Sequence, residues 1–172
     1  MIEIRTRRLV LRDWREHDLA AWAALNADPQ VREHLGDVWD EQRSAAAMKL
    51  YQEAYARNGF SFWAVEELAS GELIGMAGLD VVEPDMPFTG VEIGWRLARS
   101  AWGQGFASEA ARAVLDFGFT KANLTEILAI TLAANVRSQA VMRRIGMTHA
   151  TDLDFSYEGD DHIVYRSRLI ER

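Results

Sequence analysis

The stretch richest in chemistry runs Val91-Glu92-Ile93-Gly94-Trp95-Arg96-Leu97-Ala98, continues through Arg99-Ser100-Ala101, and ends Trp102-Gly103-Gln104-Gly105-Phe106-Ala107-Ser108-Glu109. Alternating residues, then two glycines, then alanines at helical spacing mark a strand, a tight turn and a helix start. Glycine lets the backbone approach a ligand closely, and a first helical turn presents unpaired N–H groups with partial positive charge. That combination suits a diphosphate and points to a phosphorylated cofactor. A Walker A loop fails here, because Gly105 is followed by Phe106 and Ala107 rather than by Lys and Ser or Thr. A Rossmann fingerprint also fits poorly, since Ser108 stands where a third glycine belongs and Glu126 opens the next strand instead of closing it.

A third reading fits these residues. The chain resembles the GCN5-related N-acetyltransferases (GNAT family), in particular the branch of ribosomal-protein N-terminal acetyltransferases. That family's cofactor loop reads Gln/Arg-x-x-Gly-x-Gly/Ala, and Trp102-x-x-Gly105-x-Ala107 matches its last two fixed positions. Tryptophan at the first position departs from the general pattern and is similar to the branch's Trp-Gly-x-Gly-aromatic-Ala-x-Glu-Ala run. A second block, from Asn135 through Ser138 and Arg144 to Gly146-Met147, is similar to the branch's Asn-x-x-Ser-x-x-apolar-x-x-basic-x-Gly-apolar signature. Thr6-Arg7-Arg8-Leu9-Val10-Leu11-Arg12 is a looser match to how such chains begin.

The resemblance covers nearly the whole chain and implies an acetyl-CoA-dependent enzyme whose fourth and fifth strands splay apart around the pantetheine arm. It implies pyrophosphate binding by the backbone N–H groups of Gly103, Gln104, Gly105, Phe106 and Ala107, with a hydroxyl from Ser108. It also implies pantetheine pairing by the backbone of Ile93, Trp95 and Leu97, and an amine entering from the opposite side of the sheet.

Acetyl transfer from a thioester to an amine needs a neutral nucleophile, a stabilised oxyanion and a proton for the leaving thiolate. A lysine amine, with a reference pKa of about 10.4, is almost wholly protonated at neutral pH, whereas an α-amine at about 7.7–8.0 asks less of a base. Glu92 is the candidate base: strand alternation sets it on the face away from Val91, Ile93, Trp95 and Leu97, and the family often uses a glutamate here through a water chain. The competing reading is a solvated surface glutamate or a cross-strand partner of an arginine. Asn135 stands where a helix N-cap belongs and is explained by that alone, with cofactor or substrate contact as an addition. For Ser138 the resemblance implies a general acid at the CoA sulfur, against a first-turn serine that merely satisfies local backbone. Arg144 is a candidate for the CoA ribose phosphate. Arg143 is read as a cation favoured in the last helical turn.

These residues need elements to hold them. Leu9 to Arg12 reads as a strand, Leu19 to Leu25 and Ala45 to Ala56 as helices broken at Asp28-Pro29, and Phe62 to Glu66, Leu73 to Val82 and Val91 to Ala98 as an antiparallel meander. Apolar residues in the Glu83 to Gly90 loop are candidates for a pocket mouth. A helix follows from Phe106 to near Phe119, then a strand at Glu126 to Leu132, a helix at Val136 to Ile145, and strands at Thr148 to Phe155 and His162 to Leu169. The expected architecture is α/β with a mixed sheet, in the order β-αα-βββ-α-β-α-ββ, as one N-acetyltransferase domain spanning residues 1–172.

The composition narrows the function. There is no cysteine, which excludes disulfides, a thiolate nucleophile and thiolate metal sites and leaves direct attack in a ternary complex. A net charge of −7 disfavours nucleic acid and is better matched to a cationic partner. His17, His34, His149 and His162 show no ligand spacing, so no metal is expected, although His34 and His162 lie in regions that border the acceptor side in similar proteins. Trp39, Trp63, Trp95 and Phe88 could form an aromatic acceptor site, against ordinary burial. No apolar run reaches membrane length, and the chain reads as cytoplasmic, with an edge-strand homodimer compatible with the fold. The expected acceptor is a protein N-terminal α-amine. The alternatives are an antibiotic, polyamine or aminoacyl amine, or a non-catalytic acyl-CoA-binding module.

Overall fold

The computed structural model describes residues 1–169. Its strands are β1 (Ile4–Arg5), β2 (Leu9–Arg12), β3 (Phe62–Glu67), β4 (Leu73–Val81), β5 (Val91–Leu97), β6 (Glu126–Leu132), β7 (Thr148–His149), β8 (Phe155–Tyr157) and β9 (Asp160–Arg168). They form one sheet in the order β1-β2-β3-β4-β5-β6-β9-β7, with β8 also paired to β9. All neighbours are antiparallel except β5 and β6, which run parallel and meet at a single register pair, Glu92 with Leu128. The sheet therefore opens between two strands at its centre, and the chain has the mixed α/β GNAT fold.

Helices cover both faces. α4 (Phe106–Thr120) buries Phe106, Ala110, Ala111, Val114 and Phe117 at helical spacing against Leu79, Ile93, Leu97 and Ile127. On the other face lie α1 (Leu19–Asn26), α2 (Pro29–Arg32) and α3 (Glu41–Asn58), with Trp14, Trp22, Leu25 and Met48 packed on Ala64 and Met76. The remaining helix, α5 (Val136–Arg144), follows β6.

A buried ion pair locks β2 to the start of α1. Arg12 and Asp18 are 3% and 2% exposed, and the guanidinium fork grips both carboxylate oxygens at 2.7 and 2.8 Å. Burial alone would raise the Asp18 pKa, but Arg12 and the Arg15 N–H outweigh it and hold the carboxyl below its ordinary value. Its stabilisation is thus present at neutral pH and lost as the pH falls through that lowered pKa. Asp18→Ala, which leaves the buried Arg12 with Glu66 alone, at 2.6 Å, as its carboxylate partner, is expected to cost about 3 kcal/mol in urea unfolding, the low end of the range for a broken buried pair.

The observed elements depart from the sequence reading in three places. Asp28-Pro29 does not simply break the chain: Asp28 accepts from the Gln30 N–H, and proline at the first helical position starts α2. β1, two residues long, is too short to show alternation. The strand expected at Thr148 to Phe155 is divided into β7, a 3-10 turn at Thr151–Leu153 and β8. Asp154 accounts for the division, because its carboxylate accepts from the Val164 N–H at 2.9 Å and so takes a backbone bond that a continuous ladder would have made.

Candidate functional site

A cleft of about 1250 Å³ runs through the opening between β5 and β6, reaching from the glycine turn before α4 to the face beneath α2 and α3. At the turn, Gly103 and Gly105 have φ of +75° and +80°, which side chains rarely adopt. Gly105 is the N-cap of α4 and supplies no side-chain cap, so the first-turn N–H groups, from Phe106 and Ala107 onward, keep their donor capacity. Gln104 braces the loop through its side chain, donating to the Ser100 carbonyl at 2.8 Å. Ser108 is buried and its hydroxyl, closed from solvent, has no hydrogen-bond partner among the described residues. Ser108 nevertheless belongs to the cleft wall, so its unpartnered hydroxyl stands beside the backbone donors of this turn.

Arg8 fastens the turn from the other end of the chain. Its Nη1 donates to the Gln104 carbonyl at 3.0 Å, its Nε to Glu109 at 2.7 Å, and its guanidinium lies 4.3 Å over the Phe106 ring. Glu109 also accepts from the Arg8 N–H and the Thr6 hydroxyl, at 2.9 and 2.7 Å. Burial would raise the Glu109 pKa, but these donors outweigh it and keep the carboxyl below its ordinary value.

Along β5, Gly90 accepts from Val82 and Ala98 donates to Ile74, so the even-numbered residues bond to β4. Alternation then leaves the N–H and C=O groups of Ile93, Trp95 and Leu97 on the open edge facing β6. The Leu97 carbonyl is already engaged, since it accepts from the Trp102 indole N–H at 2.9 Å. The Glu92–Leu128 register pair engages the Ile93 N–H on this side, so the Ile93 C=O and the Trp95 backbone groups offer the freer part of that edge.

Facing this edge, Asn135 caps α5 by accepting from the Ser138 N–H at 3.1 Å. The Ser138 hydroxyl makes no hydrogen bond among the described residues and lines the cleft, as does Arg144. Arg143 lies off the cleft and donates to the Tyr165 hydroxyl at 3.0 Å.

Glu92 also lines the cleft, on the face opposite Ile93 and Leu97, and it is half-buried rather than fully exposed. That face lies under the helices, and Glu92 sits directly across from Asp80 of β4. Burial first, then the charges of Asp80 and Glu83, push its pKa up to about 7.

The aromatic residues do not form one acceptor site. Trp63 is fully buried against Phe117, Phe88 packs on Phe155, and only Trp95 of the four lines the cleft. Met86 and Phe88 belong to a separate apolar cluster with Val82 and Leu128, so the Glu83 to Gly90 loop does not form the pocket mouth. His34 lines the cleft, whereas His162 stacks on Phe155. Among the described residues, no group of three or more His, Asp or Glu could hold a metal ion, and no helix is long and apolar enough to cross a membrane.

Residues 8–148 match the family model described as Acetyltransferase (GNAT) domain. The chain belongs to the GNAT acetyltransferase family. It is 32% identical over 146 residues to the uncharacterised protein YkkB of Bacillus subtilis, covering 84% of each chain. It superposes on an acetyltransferase from Agrobacterium tumefaciens with a TM-score of 0.84 and 28% identity, covering 98% of this chain and 95% of that one. It shares its fold with RimL, described as a ribosomal L7/L12 alpha-N-protein acetyltransferase in complex with coenzyme A, at a TM-score of 0.80, 20% identity and 98% coverage of both chains. It is thus an N-acetyltransferase enzyme of a family that uses acetyl-CoA, and the glycine turn, uncapped α4 start and open β5 edge fit that co-substrate.

Sequence reasoning missed several residues of this GNAT cleft. In the sequence Arg8 stands out only as part of the Thr6 to Arg12 block, and its partner Glu109 is about a hundred positions away. Arg137, which stacks 4.4 Å over Trp102 and pairs with Glu33 at 2.6 Å, carried no signal at all.

Proposed function

We propose that the enzyme transfers the acetyl group of acetyl-CoA to the N-terminal α-amine of a polypeptide by direct attack. The observation that carries this reading is the place of Glu92 in the cleft wall, on the β5 strand that borders the opening and across from Asp80, where burial and the facing acids push its pKa up to about 7. A base is most effective when its pKa lies near the operating pH, and about 7 is well matched to an α-amine at about 7.7–8.0 and poorly matched to lysine at about 10.4. The description of RimL as an alpha-N-protein acetyltransferase supports the same acceptor class.

Acetyl-CoA supplies the activated acyl thioester. The backbone N–H groups of Gly103, Gln104, Gly105, Phe106 and Ala107 hold its pyrophosphate, Arg144 is the nearby cation for its ribose phosphate, and the free edge groups of Ile93 and Trp95 orient the pantetheine arm. Glu92 accepts the proton of the incoming ammonium through water. The Ser138 hydroxyl donates a proton to the departing sulfur, while Asn135 holds the start of α5 that aims it.

Ser138→Ala is expected to lower turnover by more than about tenfold with little change in acetyl-CoA affinity, because general-acid contributions fall in the range of about 10²–10⁴. The check is thiol release beside calorimetric binding, and a normal rate removes Ser138 from the mechanism. The reading as a whole is tested by offering Ser- or Ala-starting peptides against polyamines and aminoglycosides. Acetylation of the small amines alone would replace the polypeptide by a small-molecule acceptor.

A further inference from the structure

The face of β5 that carries Glu92 has an opposite electrical character four residues further on. Arg96 lines the cleft, and its Nη1 donates to the neutral Asn26 side chain at 2.6 Å. Its guanidinium lies 4.6 Å over the Trp39 ring, with those of Arg32 at 4.5 Å and Arg43 at 5.0 Å. Arg32 is 4% exposed and donates to the backbone carbonyls of Asp37 and Leu35. None of the three arginines has a carboxylate partner among the described residues, in a chain whose net charge is −7. Burial first, and then the charges of Arg96 and Arg43, lower the Arg32 pKa to about 10, outweighing the opposing influence of Tyr51 and Asp37.

Three donors in the same cluster also lack acceptors. The Arg96 Nε and the indole nitrogens of Trp22 and Trp39 are closed from solvent and have no hydrogen-bond partner among the described residues. The Trp22 and Trp39 rings meet edge to face at 6.4 Å, and Arg96 lies over both. The aromatic faces hold the cations in place, but a ring offers no lone pair to an N–H fork. Of these cations Arg96 is the one that lines the cleft, and a carboxylate entering there would supply both the charge and the lone pair that the cleft-facing edge of its guanidinium takes.

The other end of the strip is acidic. Glu92 faces Asp80 across the ladder, with the charge of Glu83 nearby. Four residues of strand separate Glu92 from Arg96 by about 13 Å at roughly 3.3 Å per residue. Between them stands Gly94, over which Phe62 packs so closely that an added Cβ would lie 3.0 Å from its Cε1, so the Phe62 ring, itself part of the cleft wall, forms the floor between the two ends.

We propose that this dipolar strip selects an acceptor that carries a carboxylate as well as an amine, with the ammonium drawn to Glu92 and the carboxylate received at Arg96. The proposal rests on the reading of the Glu92 face as the acceptor side for a polypeptide N-terminus. An extended chain covers about 3.3–3.6 Å per residue, so the acid belongs to a side chain within about the first four residues.

The test uses C-terminally amidated pentapeptides that begin with Ser and carry either Glu or Gln at the second, third or fourth position. Thiol release gives KM, and calorimetry on the CoA-loaded protein gives affinity without turnover. At one of these positions Glu is expected to improve KM and affinity by about tenfold or more over Gln, the size of one charge-assisted contact. Arg96→Met should abolish that preference and Arg96→Lys should keep part of it. Since the Glu/Gln comparison is made on the unaltered protein, a poorly folding variant leaves the outcome decided. Equal turnover of Glu and Gln peptides at all three positions overturns the carboxylate site while leaving N-terminal acetylation standing, as does a preference that survives Arg96→Met. A binding preference for Glu with no thiol release from any peptide supports the site and overturns the acceptor chemistry, and absence of both overturns both.

Discussion

Replacing Glu92 with glutamine is expected to lower kcat/KM by about 10²-fold or more while making the folded protein more stable at pH 8. The two effects have one origin. Burial and the facing acids raise the Glu92 pKa to about 7, so its ionised form, the one that accepts a proton, is also the one the fold disfavours. The unfolded carboxyl titrates near 4.3, so the folded state gains from holding the proton, and that gain is lost as pH rises from about 4.3 through about 7. Glutamine removes both the base and the charge. The activity loss corresponds to the lower part of the general-base range of about 10²–10⁴, as suits a proton relayed by water. In the parent, kcat/KM should rise with pH through an apparent pKa of about 7, and in Glu92→Gln that limb should vanish. Two measurements check this: a pH–rate profile and thermal unfolding at pH 8. A retained limb, or a lower melting temperature with unchanged activity, would assign Glu92 to structure alone.

Gly105→Val is expected to weaken acetyl-CoA binding by at least about tenfold. At φ +80° this residue is both the N-cap of α4 and the turn that brings the backbone to the cleft. A β-branched side chain is the poorest fit to that conformation, and forcing it costs on the order of 1–3 kcal/mol. The new Cβ would stand in ordinary contact with the Arg8 guanidinium, at 3.6 Å, so the valine methyls lie beside the latch that holds Gln104 and add to the backbone strain. At Gly103 the same Cβ meets nothing within 4 Å, so Gly103→Ala carries backbone strain only and should weaken binding less. Calorimetry with acetyl-CoA, alongside circular dichroism to confirm folding, checks both. Unchanged affinity in Gly105→Val would remove the turn from the cofactor site.

Much of this was legible in the sequence because the relevant signals are local. The shift from alternation in Val91 to Leu97 to helical spacing after Phe106 marks the strand, turn and helix that carry the cleft. The N-cap role of Asn135 follows from its place ahead of Val136. Alternation also placed Glu92 on the correct face, but it could not tell whether that face was wet. The helices that cover it come from residues 19–58, and the charges that shift its pKa lie on β4 and the loop after it.

The features that escaped reading are those made by partners distant in the chain. Arg8 and Glu109, Arg137 and Glu33, and the three arginines around Trp39 look like scattered surface charges until the fold gathers them. Asp154 shows the reverse case, in which one short polar side chain divides a strand that alternation alone would extend. The aromatic residues were ambiguous for a related reason: Trp63 and Trp95 have similar local patterns, yet one is sealed in the core and the other lines the cleft.

The most direct test of the central claim is a mass measurement on an alanine-starting peptide containing an internal lysine, incubated with the enzyme and acetyl-CoA while free thiol is followed. The account predicts thiol release matched by a single acetyl group on the α-amine, with the lysine untouched. Acetylation confined to the lysine, or no acetylation of the peptide by protein that binds CoA in calorimetry, would contradict it.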